Sequence, residues 1–188
     1  LKYYTYQKYP ENDKVHFLYL GRIMKEKGMD ELFYAAKELQ RKEVPFVLDL
    51  VGFFEDEYKE KIDKLVDAKI AVFHGFQEDP RPYYAMADCV VLPSYHEGMS
   101  NVLLEAAATG RPVITSNIPG CKEAVDDGKS GLLCEAEDWN DLYRKMSKIA
   151  QMSRIEREAM GVCGRDKMAR EFDKDKVVKK TIQGIERV

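Results

Sequence analysis

The sequence predicts a doubly wound α/β domain, and three observations carry that prediction. Short runs rich in Val, Leu, Ile and Phe alternate with longer stretches of helical periodicity along most of the chain. The apolar runs are nearly continuous rather than alternating, the pattern of strands buried on both faces of a parallel sheet. With 188 residues, 45% hydrophobic and 34% charged, the chain can bury one ordinary core and is short for two.

The elements follow in order. VHFLYLG (15–21) leads to DELFYAAKELQRK (30–42), where Leu32, Phe33, Ala36 and Leu39 recur at helical spacing. FVLDLVG (46–52) leads to EDEYKEKIDKLVDA (55–68), and IAVFHG (70–75) to PRPYYAMA (80–87). CVVLPS (89–94) precedes a helix over 101–109. Ser100 or Asn101 suits its N-cap, Gly110 the position after its C-cap, and Pro112 blocks continuation. PVITS (112–116) leads to a helical stretch CKEAVDD (121–127), and GLLC (131–134) to helices near 138–151, 153–171 and 174–187. The polar, aromatic and aperiodic start, LKYYTYQKYPENDK, reads as an interdomain linker, so the chain is expected to be a piece of a longer protein. The expected organisation is a linker remnant over 1–14, the domain over 15–170 and a C-terminal helix over 171–188.

Composition narrows the function. A formal net charge of −3 gives no basic footprint of the kind nucleic-acid binding requires, so no nucleic-acid partner is expected. No apolar run approaches the roughly 20 residues that span a bilayer, and the N-terminus lacks a secretory pattern. Cys89, Cys121, Cys134 and Cys163 form no CxxC pair, which leaves zinc ligation unsupported and a reduced, cytoplasmic setting as the simplest reading.

Ligands of doubly wound sheets sit beyond the carboxyl ends of the strands, and the candidate residues fall there. After the first strand, GRIMKEKGMDEL (21–32) offers Gly21 for close backbone approach and two cations, Arg22 and Lys27, beside a helix start, which together make an anion site. The plainer alternative is a pair of exposed loop charges. After the fourth strand, PSYHEGMSNVLLEAAATGRPV (93–113) places Glu97 in a loop and Glu105 eight positions later inside the helix, roughly 6–8 Å beyond the helix start. Gly98 permits close approach, and the amides of Met99, Ser100 and Asn101 face the positive end of the helix dipole. One elongated ligand can touch the whole array. Phosphates would sit on the amides and cations, while hydroxyl-rich groups at either end would donate to the carboxylates, which only accept. Such a ligand is a nucleotide-sugar, with sugar at Glu97 and ribose at Glu105. The plainer alternative is a solvated Glu97 and a Glu105 that merely favours the helix dipole. His74 and His96 read as hydrogen-bonded strand-end or loop residues, Tyr83, Tyr84 and Met86 as helix packing, and Trp139 as an anchor to the core. No DxD-type metal site precedes the phosphate loops.

The array PSYHEGMSNVLLEAAATGRPVI, with Glu97-x7-Glu105, together with LGRIMKEKGMDEL, resembles the C-terminal domain of the GT-B glycosyltransferases related to glycogen synthase and sucrose synthase, the retaining family four. The likeness covers about residues 15–151. It implies a Rossmann-like donor-binding half in which Arg22 and Lys27 bind the donor diphosphate, Glu97 is the catalytic residue beside the donor sugar, and Glu105 holds the ribose. The loops at 52–53 and 74–76 would lie beside the nucleobase, with backbone groups around Phe76 reading its edge. A departure is the usual EGFG, here Glu97-Gly98-Met99-Ser100, which hinders the phosphate approach. The resemblance further implies transfer from a nucleotide-sugar, UDP-linked for preference. No cofactor and no metal are expected, since two cations and a helix dipole can neutralise a leaving diphosphate. The partner would be a saccharide or lipid-linked acceptor held through a missing N-terminal domain, with peripheral membrane association of the full protein left open. A nucleotide-sugar epimerase and a non-catalytic nucleotide-sugar-binding module are the alternatives.

Overall fold

In the computed structural model, residues 2–173 are described. Six parallel strands build one sheet: β1 Val15–Leu20, β2 Phe46–Val51, β3 Ala71–Gly75, β4 Cys89–Leu92, β5 Val113–Ser116 and β6 Gly131–Cys134. Their spatial order is β3-β2-β1-β4-β5-β6. β1 and β2 run in register from Val15↔Phe46 to Leu20↔Val51, while β1 meets β4 at Phe17↔Cys89 and Leu18↔Val90. Every residue of β4 and β5 is buried, in keeping with the unbroken apolar run of β4, while β5 ends in the buried polar residues Thr115 and Ser116.

Among the described residues six α-helices flank the sheet: α1 Met29–Arg41, α2 Lys59–Asp67, α3 Arg81–Met86, α4 Asn101–Ala108, α5 Trp139–Gln151 and α6 Arg154–Glu171. α1 packs on α5 and α4 on α6, so both faces of the sheet are covered. Their starts are written locally. Asp138 accepts from the amides of Asn140 and Asp141 to open α5, and Ser153 with Glu156 forms a capping box at α6. Among the described residues no helix is long and apolar enough to cross a membrane.

Three expectations change. The stretch 121–127 is no helix beyond a single 3-10 turn, Lys122–Ala124, because Cys121 is buried in the core and Val125 is already extended. Trp139 does not reach the core. It opens α5 at the surface, 42% exposed, with its ring 6.3 Å from that of Tyr34 on α1. The lead-in before β1 contains no helix or strand, yet it docks on the domain: Tyr9 is buried and donates to the Asp88 carbonyl at 2.6 Å. The predicted 174–187 helix lies outside the described residues.

The chain runs outward from β1 to β2 and β3, then returns to the other side of β1 as β4. Loops after β1 and β4 therefore leave the sheet in opposite directions and open a crevice between them, the switch point where doubly wound sheets bind ligands.

Candidate functional site

The two loops at the switch point are locked together through Gly28. Its φ of 70° is left-handed, and a Cβ there would lie 2.0 Å from the Pro93 carbonyl oxygen, so only glycine lets the loop before α1 touch the loop before α4. From the second loop, the Tyr95 amide donates to the Glu26 carbonyl at 2.9 Å. These contacts bring residues 70 positions apart into one site. Lys27 Nζ donates to Glu97 Oε1 at 2.7 Å, and Ser94 Oγ donates to the same oxygen at 2.8 Å. Arg22 is exposed, and among the described residues no carboxylate lies within ion-pair distance of it.

Two adjoining clefts share Leu20, Gly21 and Arg22. The first, about 290 Å³, is lined by Lys27, Glu97 and Met99 to Val102. The second, about 440 Å³, is lined by Glu105, Tyr4, Phe53 and Phe76 among others. Every predicted site residue except Gly98 lines one of them, and Gly98 joins Glu97 to Met99. Nothing in the fold demands glycine at 98: a Cβ would meet no atom within 4 Å, so the space beside it is open. Phe76 is 69% exposed and Phe53 54%, with ring centroids 6.4 Å apart, an unusual placement for large apolar side chains unless something covers them.

One predicted donor is unavailable. The Ser100 amide is taken by the Gly120 carbonyl at 3.1 Å, because the loop after β5 packs directly on Glu97 and Gly98. Gly120, at φ 86°, is required for that packing, since a Cβ would sit 2.0 Å from the Gly98 oxygen. Ser100 does hold the N-cap position of α4, but its side chain caps nothing. Among the described residues the amides of Met99 and Asn101 have no acceptor, so the helix start keeps donors that face the cleft.

The second carboxylate is held differently. Glu105 Oε2 accepts from the Tyr84 hydroxyl at 2.9 Å, and Tyr4 lines the same cleft with its ring edge to face against Tyr84. Burial raises its pKa above the ordinary carboxylate range, and the two phenols partly offset that rise. Tyr84 was thus more than helix packing, and Tyr4 comes from the aperiodic lead-in. Neither role had a signal in sequence spacing.

Behind the second cleft, Asp49 on β2 is buried and accepts from His16 Nδ1 at 2.7 Å and His74 Nε2 at 2.8 Å. The hydrogen bond to Asp49 raises the His16 pKa. His74 is therefore a hydrogen-bonded strand residue, as expected, and His96 is exposed. Among the described residues no three His, Cys, Asp or Glu side chains converge in a metal-ligating group.

Similarity to solved structures agrees with this architecture. Sucrose-phosphate synthase from Thermosynechococcus elongatus superposes with a TM-score of 0.82 at 25% identity, covering 98% of this chain and 50% of that one. HepE of Anabaena, solved in complex with UDP, shares the fold with a TM-score of 0.78 at 18% identity over 94% of this chain and 50% of its own. Fold and site together define a Rossmann-like α/β domain of the GT-B glycosyltransferase kind. A family model for glycosyl transferases group 1 matches residues 14–152, and the chain belongs to that family. The capsular polysaccharide biosynthesis glycosyltransferase CapM of Staphylococcus aureus is 31% identical over 166 residues, which are 86% of this chain and 43% of that protein. The chain spans under half the length of the curated relatives it matches.

Proposed function

We propose that this chain is the donor-binding half of a retaining glycosyltransferase that transfers a sugar from a nucleotide-sugar, UDP-linked for preference, to a saccharide or lipid-linked acceptor. The observation that carries the reading is the pair of clefts meeting at Leu20 to Arg22, with a carboxylate in each and an exposed cation where they join. The diphosphate lies at Arg22 and the free amides of Met99 and Asn101, with Lys27 alongside. The donor sugar occupies the first cleft and donates hydroxyls to Glu97. The ribose donates to Glu105, and the base lies against Phe53 and Phe76, whose exposed rings it would cover.

In the reaction the bond between the anomeric carbon and the diphosphate oxygen breaks, its electrons leaving with the diphosphate. The acceptor oxygen bonds that carbon and its proton departs with the leaving group. Arg22 and the helix amides stabilise the developing negative charge, and Glu97, by the sugar, stabilises positive charge that grows on the ring. The acceptor is supplied by another part of the whole protein, so this chain binds donor product without turning over. The cations come from side chains, and binding is independent of added metal.

Titration calorimetry of the chain with UDP, GDP and ADP tests the reading. UDP is expected to bind, to bind equally in EDTA, and to weaken as salt rises. Failure of all three nucleotides at millimolar concentration overturns the donor site. Loss of binding on chelation overturns its independence of metal.

A further inference from the structure

The segment before β1 reaches the second cleft with one side chain, Tyr4. Its ring meets that of Tyr84 edge to face, with centroids 6.0 Å apart at 82°; the Tyr84 hydroxyl donates to the Glu105 carboxylate at 2.9 Å, and the Tyr4 phenol stands beside the same group. Tyr4 lines the same cleft as Glu105 and Phe76. The segment that carries it is clamped along its backbone. Arg165 donates to the Tyr4 carbonyl at 3.2 Å, the Gln7 amide donates to Thr109 at 3.1 Å, and Arg111 donates to the Gln7 and Lys8 carbonyls at 3.2 and 2.9 Å. Arg111 is fully buried and also donates to the Tyr84 and Ala85 carbonyls on α3. Arg165 thus holds Tyr4 itself, while Arg111 ties the residues that follow it, Gln7 and Lys8, to Tyr84.

We propose that Tyr4 is a positioning residue of the donor site: with Tyr84 it orients the Glu105 carboxylate toward the cleft, so that nucleoside affinity depends on the docking of the segment before β1. The inference rests on the donor reading above. Its physical basis is the kind of partner. A carboxylate has about four acceptor positions, and two neutral phenols fill part of them without cancelling its charge. The remaining lone pairs keep a full negative charge for hydroxyls entering the cleft. A Lys in place of either phenol would neutralise the group, as Lys27 does for Glu97. Around Glu105 the groups that bear on its charge are Tyr84 from α3 and Tyr4 from the lead-in, and the same cleft is lined by Arg22 from the loop after β1 and Glu78 from the loop after β3.

The test uses the whole chain with Tyr4→Phe, which keeps the ring and removes the hydroxyl, and with Tyr84→Phe as a second variant. UDP and inorganic pyrophosphate, which lacks the nucleoside, are titrated across pH 4.5 to 8, with thermal melts alongside. Tyr4→Phe is expected to weaken UDP roughly 3- to 10-fold, the fold-change equivalent of one neutral hydrogen bond. Pyrophosphate affinity and melting temperature should stay at wild-type values. The midpoint at which UDP affinity falls on acidification should move up in the variant, since the ionised Glu105 has lost a donor. The ligand's own titration cancels in that comparison. If the wild type binds UDP and Tyr4→Phe changes neither affinity nor midpoint, the inference fails while the donor reading stands. If Tyr4→Phe weakens UDP and pyrophosphate alike with a lowered melting temperature, Tyr4 is packing and the inference fails. If the wild type binds no UDP, the donor reading fails and takes this inference with it.

Discussion

Glu97 in the first cleft and Glu105 in the second stand eight residues apart and are held by opposite chemistry. Glu97 sits in a loop against a cation, Lys27, and a hydroxyl, Ser94. Glu105 sits in a helix against two neutral phenols and is desolvated, with no ion-pair partner among the described residues. The charges of Glu97 and Lys27 offset each other, so a ligand entering the first cleft must share or open that pair. The phenols leave Glu105 charged, so the second cleft presents an acceptor-only wall to donor hydroxyls. The same contrast divides the cations. Lys27 is already engaged, whereas Arg22 is exposed at the junction of both clefts, and it should carry more of the phosphate affinity.

The largest expected effect comes from removing the clamp under the second cleft. Arg111 is buried and donates to six backbone carbonyls, from Gln7, Lys8, Tyr84, Ala85, Thr109 and Gly110. Arg111→Ala removes the guanidinium from those oxygens, of which Thr109 keeps the Gln7 amide, and should destabilise the fold by on the order of 3 kcal/mol or more in denaturant titration. In the fraction that remains folded, UDP should weaken through the lost lead-in while pyrophosphate holds. Unchanged stability would show that the clamp does not hold the lead-in.

Next comes the phosphate site. Arg22→Ala should weaken UDP and pyrophosphate together by roughly 1–3 kcal/mol, the usual worth of a charge-assisted hydrogen bond, with no change in melting temperature. Lys27→Ala should weaken both by less, because the wild-type charge is already shared with Glu97. Equal losses from the two variants would erase the proposed difference between a free and an engaged cation.

The smallest effect concerns stability and pH. The folded-state pKa of Glu105 is raised by burial, so the native state binds its proton more tightly than the unfolded chain does. The stability it contributes therefore falls as pH rises from the ordinary carboxylate range through the raised value. Glu105→Gln, which cannot ionise, should gain on wild type by a modest margin across that window in melts from acid to neutral pH. A variant that instead loses ground as pH rises would place Glu105 in a stabilising ion pair.

Much of this architecture is legible from local sequence, because strands, helix periodicity and caps are decided within a few residues. Gly110 and Pro112 end α4 where expected, and both carboxylates could be placed because loop and helix follow one another in the chain. What was hidden depends on contacts across the fold. The ion pair of Lys27 with Glu97 spans 70 positions, and the bond from Tyr84 to Glu105 spans 21. The Ser100 amide could not be known to be occupied, since its acceptor arrives on the separate loop after β5. Residues 121–127 have the composition of a helix, but burial of Cys121 holds them in one tight turn. Tyr4 had no signal at all, since the stretch around it has no periodicity and is ordered by arginines more than 100 positions away.

The central claim is that the two carboxylates serve different parts of one ligand, and calorimetric titration of UDP into Glu97→Gln and Glu105→Gln, side by side with wild type, tests it most directly. UDP carries the ribose and no donor sugar. Glu105→Gln should therefore weaken it by about tenfold, near 1.4 kcal/mol, while Glu97→Gln binds it as tightly as wild type or more so, because Lys27 is released toward the diphosphate. If Glu97→Gln weakens UDP as much as Glu105→Gln does, the division of labour between the two clefts is wrong.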